Sequence, residues 1–225
     1  MDPLFLSLRL AACVSAILLL VGMPLAYWLA FWKWRGKFLV EALVALPLVL
    51  PPTVLGFYVL LALGPHGPLG KMSQAIFHRG LAFTFGGLLL ASVLYSLPFA
   101  VQPLIASFEA IDRRLLDASA VLGAGRLRTF TKIIVPLSWP GILTAVVLSF
   151  AHTLGEFGVV LMVGGNLPGV TRTVSIAIYD HVQSLEYAEA NHMAALLLII
   201  SFTVLAVVYG VNRRVGRNMW ASWAR

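Results

Sequence analysis

The chain has 225 residues, 60% hydrophobic and 11% charged, with a net charge of +7 and a mean hydropathy of +0.92. Soluble domains carry about a quarter charged residues, so the composition excludes a soluble enzyme and reads as one integral membrane domain over 1–225, with no room for a separate soluble domain. A nucleic-acid partner is excluded by position, because the basic residues sit between and after apolar spans, where the positive-inside rule expects them.

Arg9 before the apolar stretch Leu10–Phe31 imitates a secretory signal. The stretch is longer than a signal core, and no small-residue cleavage site precedes Lys33-Trp34-Arg35, so an uncleaved span is expected. The lone Cys13 lies within this run, can form no internal disulfide, and is read as packing. A hydrocarbon core of about 30 Å needs roughly 20 apolar residues. Five stretches qualify: Leu10–Phe31, Leu39–Leu63, Leu81–Ile105, Pro140–Val163 and Met193–Val211. The expected class is therefore an all-α integral membrane protein of about five transmembrane helices, with room for a sixth short segment in 164–191.

In the second stretch, Pro47, Pro51 and Pro52 fall within six residues of LPLVLPPTVLG. Proline removes a donor and bends a helix, and broken helices in lipid favour buried or cavity-lining positions. Pro47–Gly56 is thus expected to be a bent segment near a pathway or gate, with Glu41 at the interface before it. Pro98 and Pro103 are expected to interrupt the third stretch.

Between the third and fourth stretches lies a polar island, 112–136, DRRLLDASAVLGAGRLRTFTKIIVP, with basic residues Arg113, Arg114, Arg126, Arg128 and Lys132. It reads as one or two short amphipathic helices. Leu115, Leu116, Ala118, Val121 and Leu122 are available for contact with a partner protein, and the arginines for anchoring to lipid headgroups or to acidic partner groups. With Lys33, Arg35 and Lys37 before it and Arg213, Arg214, Arg217 and Arg225 near the end, the island loads one side with 12 of the 16 Lys and Arg. This bias places the N-terminus outside and the C-terminus in the cytoplasm. Trp28, Trp32, Trp34, Trp220 and Trp223 fit an interfacial belt on that inner side.

Glu156, in HTLGEFG, stands out in the fourth stretch. A mid-helix charge costs roughly 2.5–3.5 kcal/mol on insertion scales, so it is either a gate or pathway residue or a carboxylate at the outer interface, structurally capped or snorkelling. Gly155 and Gly158 beside it permit close backbone approach. Like charges repel, so direct binding of an anion by Glu156 is not expected. Segment 164–191 reads as an external loop with a short helix near Val174–Val182. GPHGPLGKM, 64–72, fails as a phosphate loop at Pro65 and Met72. The scattered histidines make no metal motif. No catalytic residue, cofactor or metal is therefore expected on this chain.

The island resembles the EAA motif of the permease subunits of bacterial ABC importers: E-A-A, three residues, G, nine residues, I-x-L-P. Asp117-Ala118-Ser119 stand for E-A-A, Gly123 for the glycine, and Ile133-Ile134-Val135-Pro136 close the pattern at the right spacing. Asp for Glu, Ser for Ala and Val for Leu are mild departures. The resemblance implies a type I importer permease fold in the bacterial cytoplasmic membrane. It implies a coupling helix over Asp117–Leu122 that enters a groove of a separate ATPase. It also implies a homodimer served by two ATP-binding subunits, which carry the ATP and Mg, and by an external solute-binding protein. LPLVLPPTVLGFYVLLALGPHGPLG and FAHTLGEFGVVLMVGGNLPGVTRT look like the molybdate-type permeases. The GEFG and GGN-P-T segments are also shared with sulfate and tungstate relatives, which stand as the alternative substrates. An ATPase-independent secondary transporter is the more distant alternative, because spans one, three and five offer almost no coupling charges.

Overall fold

The computed structural model describes residues 2–32 and 34–223, with side chains through 210. Lys33 and the side chains of Arg213, Arg214, Arg217, Arg225, Trp220 and Trp223, named above for orientation and the aromatic belt, lie outside the described residues. Among the described residues the regular structure is all helical.

Helix α1 (Pro3–Phe31) begins about two turns before the expected span, because Asp2 caps it and Pro3 occupies its first turn; the Asp2 carboxylate accepts from the Leu4 N–H at 2.9 Å. Arg9 is thereby inside the helix and exposed, with its guanidinium 4.5 Å from the centre of the Phe85 ring, a cation–π contact. Helices α2 (Lys37–Val49) and α3 (Pro52–Leu63) meet at a 112° bend. The break falls at Leu50–Pro51, and Pro47 lies inside α2 without ending it. After α4 (Pro68–Phe77) comes α5 (Phe85–Glu109), which runs unbroken through Pro98 and Pro103, contrary to the expected interruption. Its neighbours supply the packing that each lost hydrogen bond would otherwise have given.

Landmarks along α5 place the other helices. Lys37 bonds Glu109 at 3.2 Å, while Leu63 touches the Gly87 position at the other end. Despite its bend, α2–α3 therefore travels the full length of α5, about 33 Å. The polar island forms α6 (Arg113–Val121), α7 (Arg126–Thr129), a π-helical turn at Phe130–Ile134 and α8 (Val135–Leu137). Helix α9 (Trp139–Gly155) bends 73° away from that segment and runs back along α5, with Gly141 against Ser107 and Thr153 against Ser96. The expected fourth span is not one helix. It breaks at Glu156–Phe157 and resumes as α10 (Gly158–Gly164), which reaches Leu88. Helix α11 (Val174–Gln183) has ten residues and rises about 15 Å, half a hydrocarbon core. Its first N–H bonds Ser7 of α1 at 2.9 Å. Helix α12 (Tyr187–Trp223) completes the chain. Among the described residues three helices are long and apolar enough to cross a membrane, or up to five if each of two bent pairs counts as one span.

The core lies where α1, α5 and α9 meet. Leu6, Leu10, Val14, Leu18 and Leu29 of α1 face Leu88, Val101, Leu104 and Phe108 of α5, and small residues let the backbones close: Ala11, Ala91, Ala100 and Ala145 are fully buried, and Gly22 sits against Val101. In lipid, such close contact replaces the hydrophobic effect as the cohesive term. A second cluster joins Val59, Leu63, Ala91, Val159 and Val163 across α3, α5 and α10. By contrast, α12 leaves Leu196, Leu198, Ile199 and Phe202 exposed, and α2–α3 leave Leu43, Val49, Phe57 and Tyr58 exposed.

At the α5–α9 crossing, a Cβ on Gly141 would lie 2.2 Å from the Ser107 Cβ and 3.1 Å from the Pro103 carbonyl oxygen. Gly141→Leu is expected to lower the melting temperature in detergent, an overpacking cost of about 1–3 kcal/mol. Gly80→Ala, where a Cβ meets nothing within 4 Å, is expected to leave it unchanged. Thermal unfolding followed by size-exclusion checks both, and equal melting of the two variants would contradict the crossing.

Candidate functional site

The polar island folds into a projection beyond the Glu109 end of the bundle. Asp112 caps α6, accepting from the Arg114 N–H at 2.9 Å, so the helix starts at Arg113, one turn before the expected Asp117. It ends in a Schellman motif: Ala124 N–H bonds Ser119 C=O and Gly123 N–H bonds Ala120 C=O, each at 3.0 Å, with Gly123 at φ +74°. A positive φ at this point strains any residue with a side chain, and glycine meets it without cost. The turn leaves Val121 and Leu122 87% and 86% exposed at the tip. Asp117, Ala118 and Gly123 are exposed beside them, while Ser119 is buried and shares a 2.7 Å hydrogen bond with Thr129 of α7.

That bond joins the two halves of the motif. Ile133 lies in the π turn, half-buried, and Val135 and Pro136 begin α8. The base of the projection is aromatic. Phe130 packs edge-on to Tyr27 of α1, with centroids 5.4 Å apart, and to Phe108 of α5 at 6.4 Å, and Phe108 stacks on Phe31. The projection is therefore seated on α1 and α5 through four rings, worth about 0.5–1.5 kcal/mol per pair beyond burial.

The second group of expected residues meets inside the bundle. A Cβ on Gly158 would stand 2.7 Å from Pro52 Cβ, and one on Gly56 would stand 2.8 Å from Met162 Cβ. The bend after α2 and the break before α10 thus lie against each other, bringing Pro51, Pro52, Glu156 and Gly158 together. Pro47 is buried one turn away within α2. Gly155 departs from expectation: it is exposed, and a Cβ there would meet nothing within 4 Å. Glu156 is only 5% exposed, and both carboxylate oxygens are buried without a hydrogen-bond partner among the described residues. The break turns this side chain into the protein rather than out to the surface.

Sequence reading passed over the polar residues around that carboxylate. Ser92, also buried without a partner, lies one turn from Ser96 on α5. Ser96 hydrogen-bonds His152 Nδ1 at 2.9 Å and Thr153 at 3.0 Å, and the His152 ring stacks on Phe99 with centroids 3.9 Å apart. The available signal was their spacing: Ser92, Ser96 and Phe99 recur at three and four residues, one face of α5. The outer loop is also ordered by polar contacts. Thr171 donates to the Gly164 carbonyl at 2.6 Å, and Asp180 receives both Arg172 and Asn166 at 2.6 Å. No group of three His, Cys, Asp or Glu side chains able to hold a metal occurs among the described residues.

Comparison with known proteins gives this architecture a family. The chain is 53% identical over 208 residues to the molybdenum transport system permease protein ModB of Azotobacter vinelandii, covering 92% of each chain. It is 36% identical to the protein of the same name in Escherichia coli strain K12, over 96% and 95%. To the sulfate transport system permease protein CysT of Salmonella typhimurium it is 31% identical, over 93% of this chain and 76% of the other. Among solved structures, a bacterial ABC transporter importing alginate superposes at TM-score 0.74 with 19% identity, over 95% and 80% of the two chains. The MetNI methionine ABC transporter superposes at 0.70 with 16% identity, over 95% and 94%. These last two establish the fold, that of type I ABC importer permeases. Residues 22–220 match the family described as binding-protein-dependent transport system inner membrane component, and the chain belongs to that family.

Proposed function

We propose that this chain is the permease subunit of an ATP-driven importer that carries molybdate across the inner membrane by alternating access. The observation that carries the substrate is the 53% identity to a molybdenum transport permease over 92% of both chains, against 31% for a sulfate permease. In this reading 1–225 is one transmembrane domain, the N-terminus is outside and the C-terminus cytoplasmic. ATP and Mg belong to a partner, and this chain performs no catalysis. Sulfate and tungstate are the competing substrates.

The assembly we propose is a homodimer with two ATPase subunits and an external solute-binding protein. The exposed apolar faces of α2–α3 and α12 support it, since a second copy and lipid can both cover them. Helix α6 is the proposed coupling helix. Its exposed Val121–Leu122 tip is the contact for the ATPase groove, with Asp117, Ala118, Ser119, Gly123, Ile133, Val135 and Pro136 shaping and holding it. The four-ring seat gives a mechanical route: closure of the ATPase pair would displace α6 and, through Phe130, the ends of α1 and α5. Nucleotide thereby biases a two-state equilibrium of the bundle. Pro47, Pro51, Pro52, Gly155, Glu156 and Gly158 are the proposed gate, where two broken helices lean on each other.

ATP-dependent uptake of labelled molybdate into proteoliposomes holding this chain, its ATPase and its binding protein tests the substrate. Uptake blocked by tungstate but not by excess sulfate is expected; blockage by sulfate would transfer the chain to the sulfate permeases. Gly123→Val is expected to abolish ATP-coupled uptake while leaving membrane insertion intact, because a Cβ there clashes with nothing yet cannot hold the Schellman turn. Wild-type uptake in that variant would remove the coupling role. Glu156→Ala is expected to slow uptake without reducing assembly with the ATPase, and unchanged uptake kinetics would remove Glu156 from the gate.

A further inference from the structure

One face of α5 carries an exposed polar side chain, Gln102, within its apolar run. Gln102 is exposed on the single chain, seven residues and about 10 Å from the Glu109 end of the span. Above it on the same face stand Phe99 and Tyr95, which hold the His152 ring, and below it stand Ala106 and Glu109. These positions, 95, 99, 102, 106 and 109, alternate by four and three, a straight stripe down the helix. A carboxamide facing hydrocarbon leaves two donors and an acceptor unsatisfied, so such a side chain belongs on a partner or on a water-filled cavity.

Cavities follow the same stripe. One of about 320 Å³ is an open cleft between Leu48, Phe99, Gln102 and Leu148. A second, of about 420 Å³, shares Gln102 and Ala106 with the first and opens between Glu41 and Glu109. A third, of about 570 Å³, shares Glu109 with the second and is lined by Arg35, Lys37 and Arg113. Shared walls make a stepped groove from the His152 ring down to a basic vestibule. Along it, Gln102 is the polar side chain between the ring stack and the acidic mouth. Lys37 is shared by Glu41 and Glu109, 3.2 Å from each, so its ammonium beside the groove is already paired.

We infer that this groove is the inner half of the translocation pathway, and that Gln102 is a positioning residue whose carboxamide N–H groups donate to the passing oxyanion. The inference rests on the importer reading above and adds to it the path and the donor. A neutral donor suits the task. A fixed positive charge would hold a dianion, whereas conduction requires contact strong enough to admit it and weak enough to release it. The basic residues stand at the exit, Arg35 and Arg113, where they draw the anion toward the cytoplasm without trapping it in the bundle.

The test uses the reconstituted transporter with Cys13→Ser, which removes the chain's single cysteine. Gln102→Cys and Leu20→Cys are compared, the latter on the exposed outer face of α1 near the Gly22–Val101 contact. A small anionic, membrane-impermeant thiosulfonate is expected to modify Gln102→Cys and not Leu20→Cys, and excess molybdate is expected to slow the reaction. Gln102→Leu is expected to lower uptake about tenfold or more, the loss of one hydrogen bond to a charged group, while ATP hydrolysis stimulated by the binding protein continues. A thiol that the reagent does not reach, or that instead forms a disulfide between two permease copies, would make Gln102 a dimer contact and overturn the inference. Wild-type uptake in Gln102→Leu would overturn it equally. If the wild-type vesicles carry sulfate in place of molybdate while Gln102→Cys still reacts, the substrate reading falls and the path stands.

Discussion

Lipid supplies no hydrogen bonds, so a spanning chain can interrupt a helix only where protein covers the interruption. In this molecule each of two interruptions covers the other. The bend at Leu50–Pro51 and the break at Glu156–Phe157 meet through Gly158 on Pro52 and Gly56 on Met162, at separations that leave no room for a Cβ. Much else depends on that contact. It holds α3 on α10, completes the second apolar cluster around Val59, Ala91 and Val163, and turns the Glu156 carboxylate away from the membrane surface into the protein.

Helix α5 is the member against which this pairing is braced. One side carries Ala100, Val101, Leu104 and Phe108 and is closed by α1 and α9. The other carries Tyr95, Phe99, Gln102, Ala106 and Glu109 and stays open along stepped cavities. Pro98 and Pro103 lie within the same stretch, yet the helix runs on. The two lost backbone bonds are tolerated because small-residue packing on the closed side confines the helix axis more strongly than each missing bond loosens it.

The projection at the end of α5 is stiff for its size. A capped start, a Schellman end, the Ser119–Thr129 bond and the ring cluster of Tyr27, Phe31, Phe108 and Phe130 leave α6 few independent motions. A loop of similar length without these ties would absorb a push at its tip. This one is tied to α1 and α5, so under the proposed coupling a displacement of its tip would reach both helices. The π turn at Phe130–Ile134 is the place in this link where helical geometry can readjust.

Several features were legible in the sequence because they depend on local chemistry. The apolar runs marked the candidate spans, since each must satisfy its own backbone in hydrocarbon. The Asp117-to-Pro136 spacing and Gly123 announced the projection and its turn, because a positive φ needs glycine whatever surrounds it. Pro51–Pro52 announced a bend, because proline cannot donate. Other features depended on neighbours that no local rule names. Pro98 and Pro103 do not break α5, since packing outweighs them, and Gly155 is open where Gly158 is crowded, although the two look alike in sequence. The break at Glu156 is stabilised by Pro52, a hundred residues earlier in the chain. Gln102 reads as an ordinary polar residue in an apolar run until the fold places Leu48, Leu148 and Glu41 around it. Composition and short motifs determined the class of molecule and its family; tertiary packing decided which interruptions survive and which face stays open, because both depend on contacts between segments distant in the chain.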